Sequence, residues 1–207
     1  LKTLLVTSSS AGCGRTVTAV NLAITLATEG KRVLLVDGNF RRPALHRLFA
    51  SKGDKPGLSN VLVGQATAQQ AIYATDIKKL DVVESGPLPP NPAHLLGSRQ
   101  MREFIDQQRQ SYDFVIIDGP PALVVNEART LATLADGTVI VVRAEKTSRG
   151  IVQRLLRELS ITHVRILGVV VNAVRPRRGG YYQKSYRSYY DYIESRPAAA
   201  ASLQETP

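Results

Sequence analysis

Leu4-Leu5-Val6-Thr7-Ser8-Ser9-Ser10-Ala11-Gly12-Cys13-Gly14-Arg15-Thr16 is the stretch on which the reading of this chain turns. A short apolar run at Leu4–Thr7 has the character of a buried strand, and helical periodicity begins at Thr16 and continues to Glu29. Between them, glycines let the backbone wrap closely around an anion with several amide N–H groups turned inward. The following helix adds its positive N-terminal end to the same place. In the pattern G-x-x-x-x-G-K-[ST] the last residue ligands magnesium through its hydroxyl, and Thr16 stands there. Ser9 replaces the first glycine and Arg15 the lysine, so the loop alone is a weak signal, equally compatible with a turn; the order strand, loop, helix supports the phosphate reading. Arg15 keeps the charge but exchanges a compact ammonium for a planar guanidinium, a change that binding survives better than catalysis. At Cys13 a helix N-terminus can lower a thiol pKa, while the simpler reading is a tolerated small side chain.

Outward from this loop, short apolar runs alternate with longer helical segments. The strands are expected at Leu4–Thr7, Val33–Asp37, Leu80–Glu84, Phe114–Asp118, Thr138–Val142 and Ile166–Val171, and the helices at Thr16–Glu29, Ser98–Gln110, Glu127–Ala135 and Ser148–Leu159. Continuous Val/Ile/Leu runs suit parallel strands buried on both faces. The alternation predicts an α/β fold: a mostly parallel central sheet of about seven or eight strands with helices on both faces. Gly86–Pro92 reads as a proline-rich loop, and no buried pattern follows Pro176. The expected division is one domain over 1–176 and a tail over 177–207.

At 207 residues, 43% hydrophobic and 21% charged, the chain has the size and balance of one soluble α/β domain. No apolar run approaches the roughly 20 residues that span a bilayer. The first residue is Leu1 and the only methionine is Met101, so a fragment of a longer chain is expected, with anything upstream invisible. Cys13 is the only cysteine, which rules out an internal disulfide and suits a reducing cytosol. His46, His94 and His163 are scattered and read as structural or surface residues. The net charge is +10, of which residues 175–196 carry +4. A basic balance suits nucleotides, anionic lipid or nucleic acid, or is simply a solvated surface.

Two strands end in aspartate, at Asp37 and at Asp118, the latter followed by Gly119-Pro120-Pro121. In a parallel sheet ligands sit outside the carboxyl ends of the strands, so both carboxylates face the anion held by the first loop. One such aspartate is easily a helix cap; two downstream of a phosphate loop are harder to explain that way.

With these residues in view the sequence resembles the bacterial tyrosine kinases of capsule and exopolysaccharide assembly, relatives of the partition and cell-division ATPases with the P-loop NTPase fold. Ser8–Thr16 resembles their Walker A loop. Asp37-Gly38-Asn39-Phe40-Arg41-Arg42-Pro43 resembles their second acidic motif, usually D-x-D-x-R-x-P, and Val115–Pro121 their Walker B strand. Gly57-Leu58-Ser59 through Gly64, Ser85–Pro92 and Gly168–Asn172 are similar as well. The resemblance implies ATP or ADP and magnesium as cofactors, with the nucleotide on Ser10, Ala11, Gly12, Cys13, Gly14, Arg15, Thr16 and Val17, and with Asn172 at the adenine. It implies Thr16, Asp37 and Asp118 around the metal. Asp37 would orient or deprotonate the attacking hydroxyl, with Arg15 and Asp118 completing the catalytic set. Arg15 in place of lysine and Asn39 in place of the second aspartate put turnover in question while leaving nucleotide binding intact. The arginine-rich helix that precedes the first strand in that family lies outside this sequence.

Six of the eight tyrosines crowd into one segment: Tyr181, Tyr182, Tyr186, Tyr189, Tyr190 and Tyr192, interleaved with Lys184 and Arg187. No aliphatic residue between 177 and 192 offers them a core. Stacking on single-stranded nucleic acid and contact with anionic lipid are alternatives to the favoured reading, autophosphorylation in trans, which matches the family's tyrosine-rich tail. About nine extended residues beyond Asn172 span at most ~30 Å, enough to reach a neighbouring subunit's loop. Each phosphate adds roughly −1.5 to −2 charges, so two or three overturn the basic tail. The expected partners are a ring-like homo-oligomer, a membrane-embedded co-polymerase domain, fused or separate, and a tyrosine phosphatase; no nucleic acid is expected. The expected location is the cytoplasm, at the inner face of the plasma membrane. A nucleotide-binding scaffold without transfer, or a partition-type ATPase, is the alternative.

Overall fold

Nearly uninterrupted apolar strands need cover on both faces, and the computed structural model provides it. Residues 1–49, 55–162 and 164–175 are described. The elements are β1 (Thr3–Ser8), α1 (Arg15–Thr28), β2 (Val33–Asp37), a 3-10 turn at Leu45–Arg47, α2 (Leu58–Leu62), α3 (Ala68–Ala71), β3 (Tyr73–Ala74), β4 (Leu80–Val83), α4 (Pro92–Leu96), α5 (Arg99–Ser111), β5 (Phe114–Asp118), α6 (Glu127–Leu134), β6 (Gly137–Arg143), α7 (Arg149–Ser160) and β7 (Ile166–Asn172). Residues Leu1–Ala173 form one compact unit.

The strands form one seven-stranded sheet in the order β3-β4-β2-β5-β1-β6-β7. Every pairing is parallel except β3 with β4. Alternating side chains go to opposite faces. On one face Leu34, Val36, Val115 and Ile117 pack with Met101, Phe104 and Ile105 of α5, Leu131 of α6 and Leu155 of α7. On the other, Val33, Leu35, Val82 and Ile116 meet the small side chains Ala19, Ala23 and Ala27 of α1. Those alanines let α1 lie close to the sheet, which fixes where its N-terminus opens beside β1.

Three features depart from the sequence expectation. β3 is too short to show a period, and it supplies the one antiparallel edge. The short helices α2, α3 and α4 are held by caps and contacts rather than by amphipathic length: Thr67 accepts from the N–H of Gln70, and Asn91 from that of His94. β7 is an apolar run at the sheet's edge, yet Leu167, Val169, Val170 and Val171 are exposed.

The Gly57 and Ser85–Gly86 stretches meet in space. Leu58 and Ser59 donate their backbone N–H groups to the carbonyls of Glu84 (2.7 Å) and Ser85 (2.9 Å), docking the start of α2 on the end of β4. A Cβ on Gly57 would lie 2.1 Å from the Gly86 nitrogen, so this approach requires glycine. Among the described residues no helix is long and apolar enough to cross a membrane.

Candidate functional site

Parallel pairing brings the carboxyl ends of the strands to one edge. Asp37 is the register partner of Asp118, Val6 pairs with Asp118 from the other side, Ser8 pairs with Val141, and Arg143 with Asn172. Along this edge the 8–16 loop leaves β1 and enters α1.

The loop turns through left-handed backbone at Gly12 (φ 76°) and Gly14 (φ 88°). Gly14 is confined as well as twisted: a Cβ there would fall 1.8 Å from Asn172 Nδ2. Asn172 Nδ2 donates to the Cys13 carbonyl (2.9 Å) and its Oδ1 accepts from the Ala173 N–H (2.7 Å). Arg143 Nη1 donates to the Gly12 carbonyl (3.2 Å). Side chains from the ends of β6 and β7 therefore hold two consecutive loop carbonyls.

Arg15, the first residue of α1, is buried. Its Nη1 donates to Ser8 Oγ (3.0 Å) and its Nε lies 3.6 Å from Asp118 Oδ1. Thr16 donates its hydroxyl to Asp118 Oδ2 (2.6 Å). Burial pushes the Asp118 carboxyl up to about 6; the Thr16 hydroxyl and Arg15 pull it down without offsetting the burial, and Asp37 adds to the rise. Asp37 is fully buried, and backbone donors engage both of its oxygens. Oδ1 accepts from the N–H of Asn39 (3.1 Å), Oδ2 from those of Ala44 (2.9 Å) and Leu45 (3.1 Å). Burial raises its pKa, and these three donors and His46 oppose the rise. In this arrangement Asp37 anchors the loop after β2 through three backbone N–H groups. Asn39 spends its Nδ2 on the Arg42 carbonyl (2.8 Å), and Arg41 pairs with the buried Glu127 (2.7 Å).

Beside the loop is a cavity of about 260 Å³ lined by Ala11, Arg15, Asn39, Arg42, Pro121 and Val124 among others. Several buried polar atoms around the loop lack hydrogen-bond partners: Ser9 Oγ, Arg15 Nε and Asp118 Oδ1. A bound anion and its cation would satisfy such groups, so loop, Thr16 and Asp118 fit a magnesium nucleotide; Asp37 stands beside them with both oxygens accepting from backbone N–H groups. Among the described residues no three His, Cys, Asp or Glu side chains form a metal cluster.

Of the site residues expected from the sequence, Ser10 through Val17 lie on the loop and the first turn of α1, Asp118 touches Thr16, and Asn172 touches the loop backbone. Val17 points outward. Burial alone would raise the Cys13 thiol, but hydrogen bonds with Ser10 and Thr147 leave it lowered. Tyr181, Tyr182, Tyr186, Tyr189, Tyr190 and Tyr192 lie outside the described residues. Sequence reasoning passed over Arg143 and Glu127, and placed Ser8 at the start of the loop without giving it a partner. The rule that ligands gather at strand carboxyl ends would have found Arg143, the last residue of β6; nothing local marks Glu127.

A protein-family model described as an AAA domain matches residues 1–166. The tyrosine-protein kinase YwqD of Bacillus subtilis is 38% identical to this chain, over 88% of the chain and 78% of that protein. The putative tyrosine-protein kinase EpsB of Ralstonia nicotianae is 35% identical over 97% of this chain but 27% of that protein, so the chain spans about a quarter of that relative. Among solved structures, the kinase domain of Escherichia coli tyrosine kinase ETK superposes with a TM-score of 0.82 at 29% identity, over 87% of this chain and 71% of that one.

Proposed function

Because the chain belongs to the bacterial tyrosine-kinase family, with a P-loop nucleotide-binding fold, we propose that it is an ATP-dependent protein-tyrosine autokinase that regulates capsule or exopolysaccharide polymerisation and export. Residues 1–176 form the catalytic domain, and the tail 177–207 carries the acceptor tyrosines, phosphorylated in trans within a homo-oligomeric ring. A membrane-embedded co-polymerase partner, fused or separate, holds it at the cytoplasmic face of the membrane, and a tyrosine phosphatase reverses the modification.

One observation carries this reading: the 8–16 loop closes against Asp118 while Ser9 Oγ, Arg15 Nε and Asp118 Oδ1 stay buried without hydrogen-bond partners. Leaving such atoms unpaired is costly; an anionic ligand would relieve the donors and its accompanying cation the carboxylate oxygen. ATP supplies the transferable phosphoryl group, and magnesium neutralises charge on it. Gly12 and Gly14 let the loop backbone approach the phosphates, and Thr16 with Asp118 would hold the metal when Arg15 yields that carboxylate to it. Arg143 and Asn172 fix the loop carbonyls, so the donors are in place before the ligand arrives; this geometry favours Asn172 as a loop clamp over an adenine contact. Asp37 orients rather than deprotonates, since it holds in place the segment that carries Asn39, Arg41 and Arg42.

The second reading, a nucleotide-binding scaffold that has lost transfer, is favoured by the Arg15–Asp118 pairing, which ties the loop cation to the metal-binding carboxylate. Incubation of the protein with ATP and magnesium, followed by mass spectrometry of the tail, separates the two. Phosphate on Tyr181–Tyr192 supports the kinase; an unmodified tail on a chain that binds ATP establishes the scaffold.

A further inference from the structure

Arg15 opens α1, where a charged side chain ordinarily reaches solvent, yet it is only 9% exposed. Its guanidinium is forked between two partners on the sheet: Nη1 donates to Ser8 Oγ, and Nε faces Asp118 Oδ1 at 3.6 Å, too far for a hydrogen bond. Both Nε and Oδ1 are buried without a hydrogen-bond partner, so each is the other's nearest compensation. The neighbouring guanidinium groups are committed elsewhere, Arg41 to Glu127 and Arg143 to the Gly12 carbonyl. Asp37 acts on Asp118 as a neighbouring negative charge, while its own oxygens are engaged by backbone N–H groups. Among the described residues Arg15 is therefore the cation that Asp118 meets.

We propose that Arg15 competes with the divalent cation for Asp118, so that this chain binds nucleoside di- and triphosphates with little dependence on magnesium. The inference rests on the reading of residues 8–16 as a nucleotide loop and concerns what its altered cation does there. A lysine has one nitrogen and cannot serve Ser8 and Asp118 through separate atoms, whereas the planar fork does so and holds its orientation. A second cation brought to the same carboxylate meets a fixed like charge in a poorly solvated place, where repulsion is least screened. The phosphates lose nothing by this, since the guanidinium remains beside them as a permanent positive charge.

The test is calorimetric titration of ADP into the unaltered chain and into Arg15→Lys, each with magnesium and with EDTA, after thermal melts have shown that both are folded. The unaltered chain is expected to change its affinity less than about threefold with magnesium, and Arg15→Lys to bind at least about tenfold more tightly with magnesium than without. Equal magnesium coupling in the two proteins overturns the inference but leaves the nucleotide reading standing. No ADP binding by either protein under either condition removes both. Should Arg15→Lys fail to fold, paramagnetic resonance of manganese added to the unaltered chain with ADP decides. A spectrum matching that of manganese and ADP without protein supports the competition, and stoichiometric capture of manganese in the protein–ADP complex overturns it.

Discussion

Asn172 at the end of β7 fills the space that a side chain on Gly14 would need: its Nδ2 lies 1.8 Å from the position of a Cβ at residue 14 and donates to the Cys13 carbonyl at 2.9 Å. Residues 158 positions apart thus form one unit, a left-handed glycine and the amide that seals it. The last strand of the sheet thereby reports on the shape of the first loop.

That unit makes a coupled prediction. Asn172→Ala removes the hydrogen bond to the Cys13 carbonyl as well as the one from the Ala173 N–H, and loss of the first should weaken ADP binding about three- to tenfold, in line with a net ~0.5–1.5 kcal/mol per bond. Gly14→Ala adds both the collision and about 1–2 kcal/mol of left-handed backbone strain. In the double variant the collision disappears, so Gly14→Ala should cost less stability on the Asn172→Ala background than alone. Thermal or urea melts of the four proteins measure the coupling, and strictly additive losses contradict it.

Asp37→Ala strips three backbone N–H groups of their acceptor. With about 1–3 kcal/mol for each buried group left unpaired, the variant should lose several kcal/mol of stability as well as tail labelling. Asp37→Asn keeps the shape but only one carbonyl oxygen, so an intermediate loss is expected. A urea melt alongside the labelling assay separates anchoring from chemistry: full stability with abolished labelling returns Asp37 to the role of base.

Asp118 couples stability to pH. Its folded pKa, raised to about 6, lies above the ordinary aspartate value of 3.8, so the folded state holds a proton that the unfolded chain releases between these values. Its stabilising contribution is complete below about pH 4 and is lost as pH rises through about 6. Relative to Asp118→Asn, the nucleotide-free protein should lose roughly 2–3 kcal/mol between pH 4 and pH 7. Urea melts across that range test it, and a stability difference that grows with pH refutes it.

Arg15→Lys and Asn39→Asp address turnover. If these two positions limit phosphoryl transfer, the double variant should label its tail at least about tenfold faster than the unaltered chain, equivalent to ~1.4 kcal/mol of barrier. Timed incorporation of radioactive phosphate measures this. Strong labelling by the unaltered chain, with no gain in the variants, shows that the guanidinium and the amide suffice.

Much of this was legible along the chain. Val33–Asp37 and Phe114–Asp118 coincide with β2 and β5, because unbroken apolar runs ending in aspartate leave few alternatives. α5 and α7 carry strong helical periodicity and Ser caps at Ser98 and Ser148, and their bounds fall within a residue of expectation. α2 and β3 were not legible, since α2 rests on carbonyls of Glu84 and Ser85 more than twenty residues away and β3 is two residues long.

The sequence by itself determined the order of strand, loop and helix, the parallel sheet and the gathering of Asp37, Asp118 and Asn172 at one edge, because side-chain period and glycine placement act over a few residues. Tertiary structure alone decided that Arg15 turns inward to Ser8 and Asp118, that Asp37 is consumed by backbone donors, and that Arg143 and Asn172 grip the loop. Those choices depend on strand register and burial, which bring together groups far apart in the chain and make every unpaired polar atom costly.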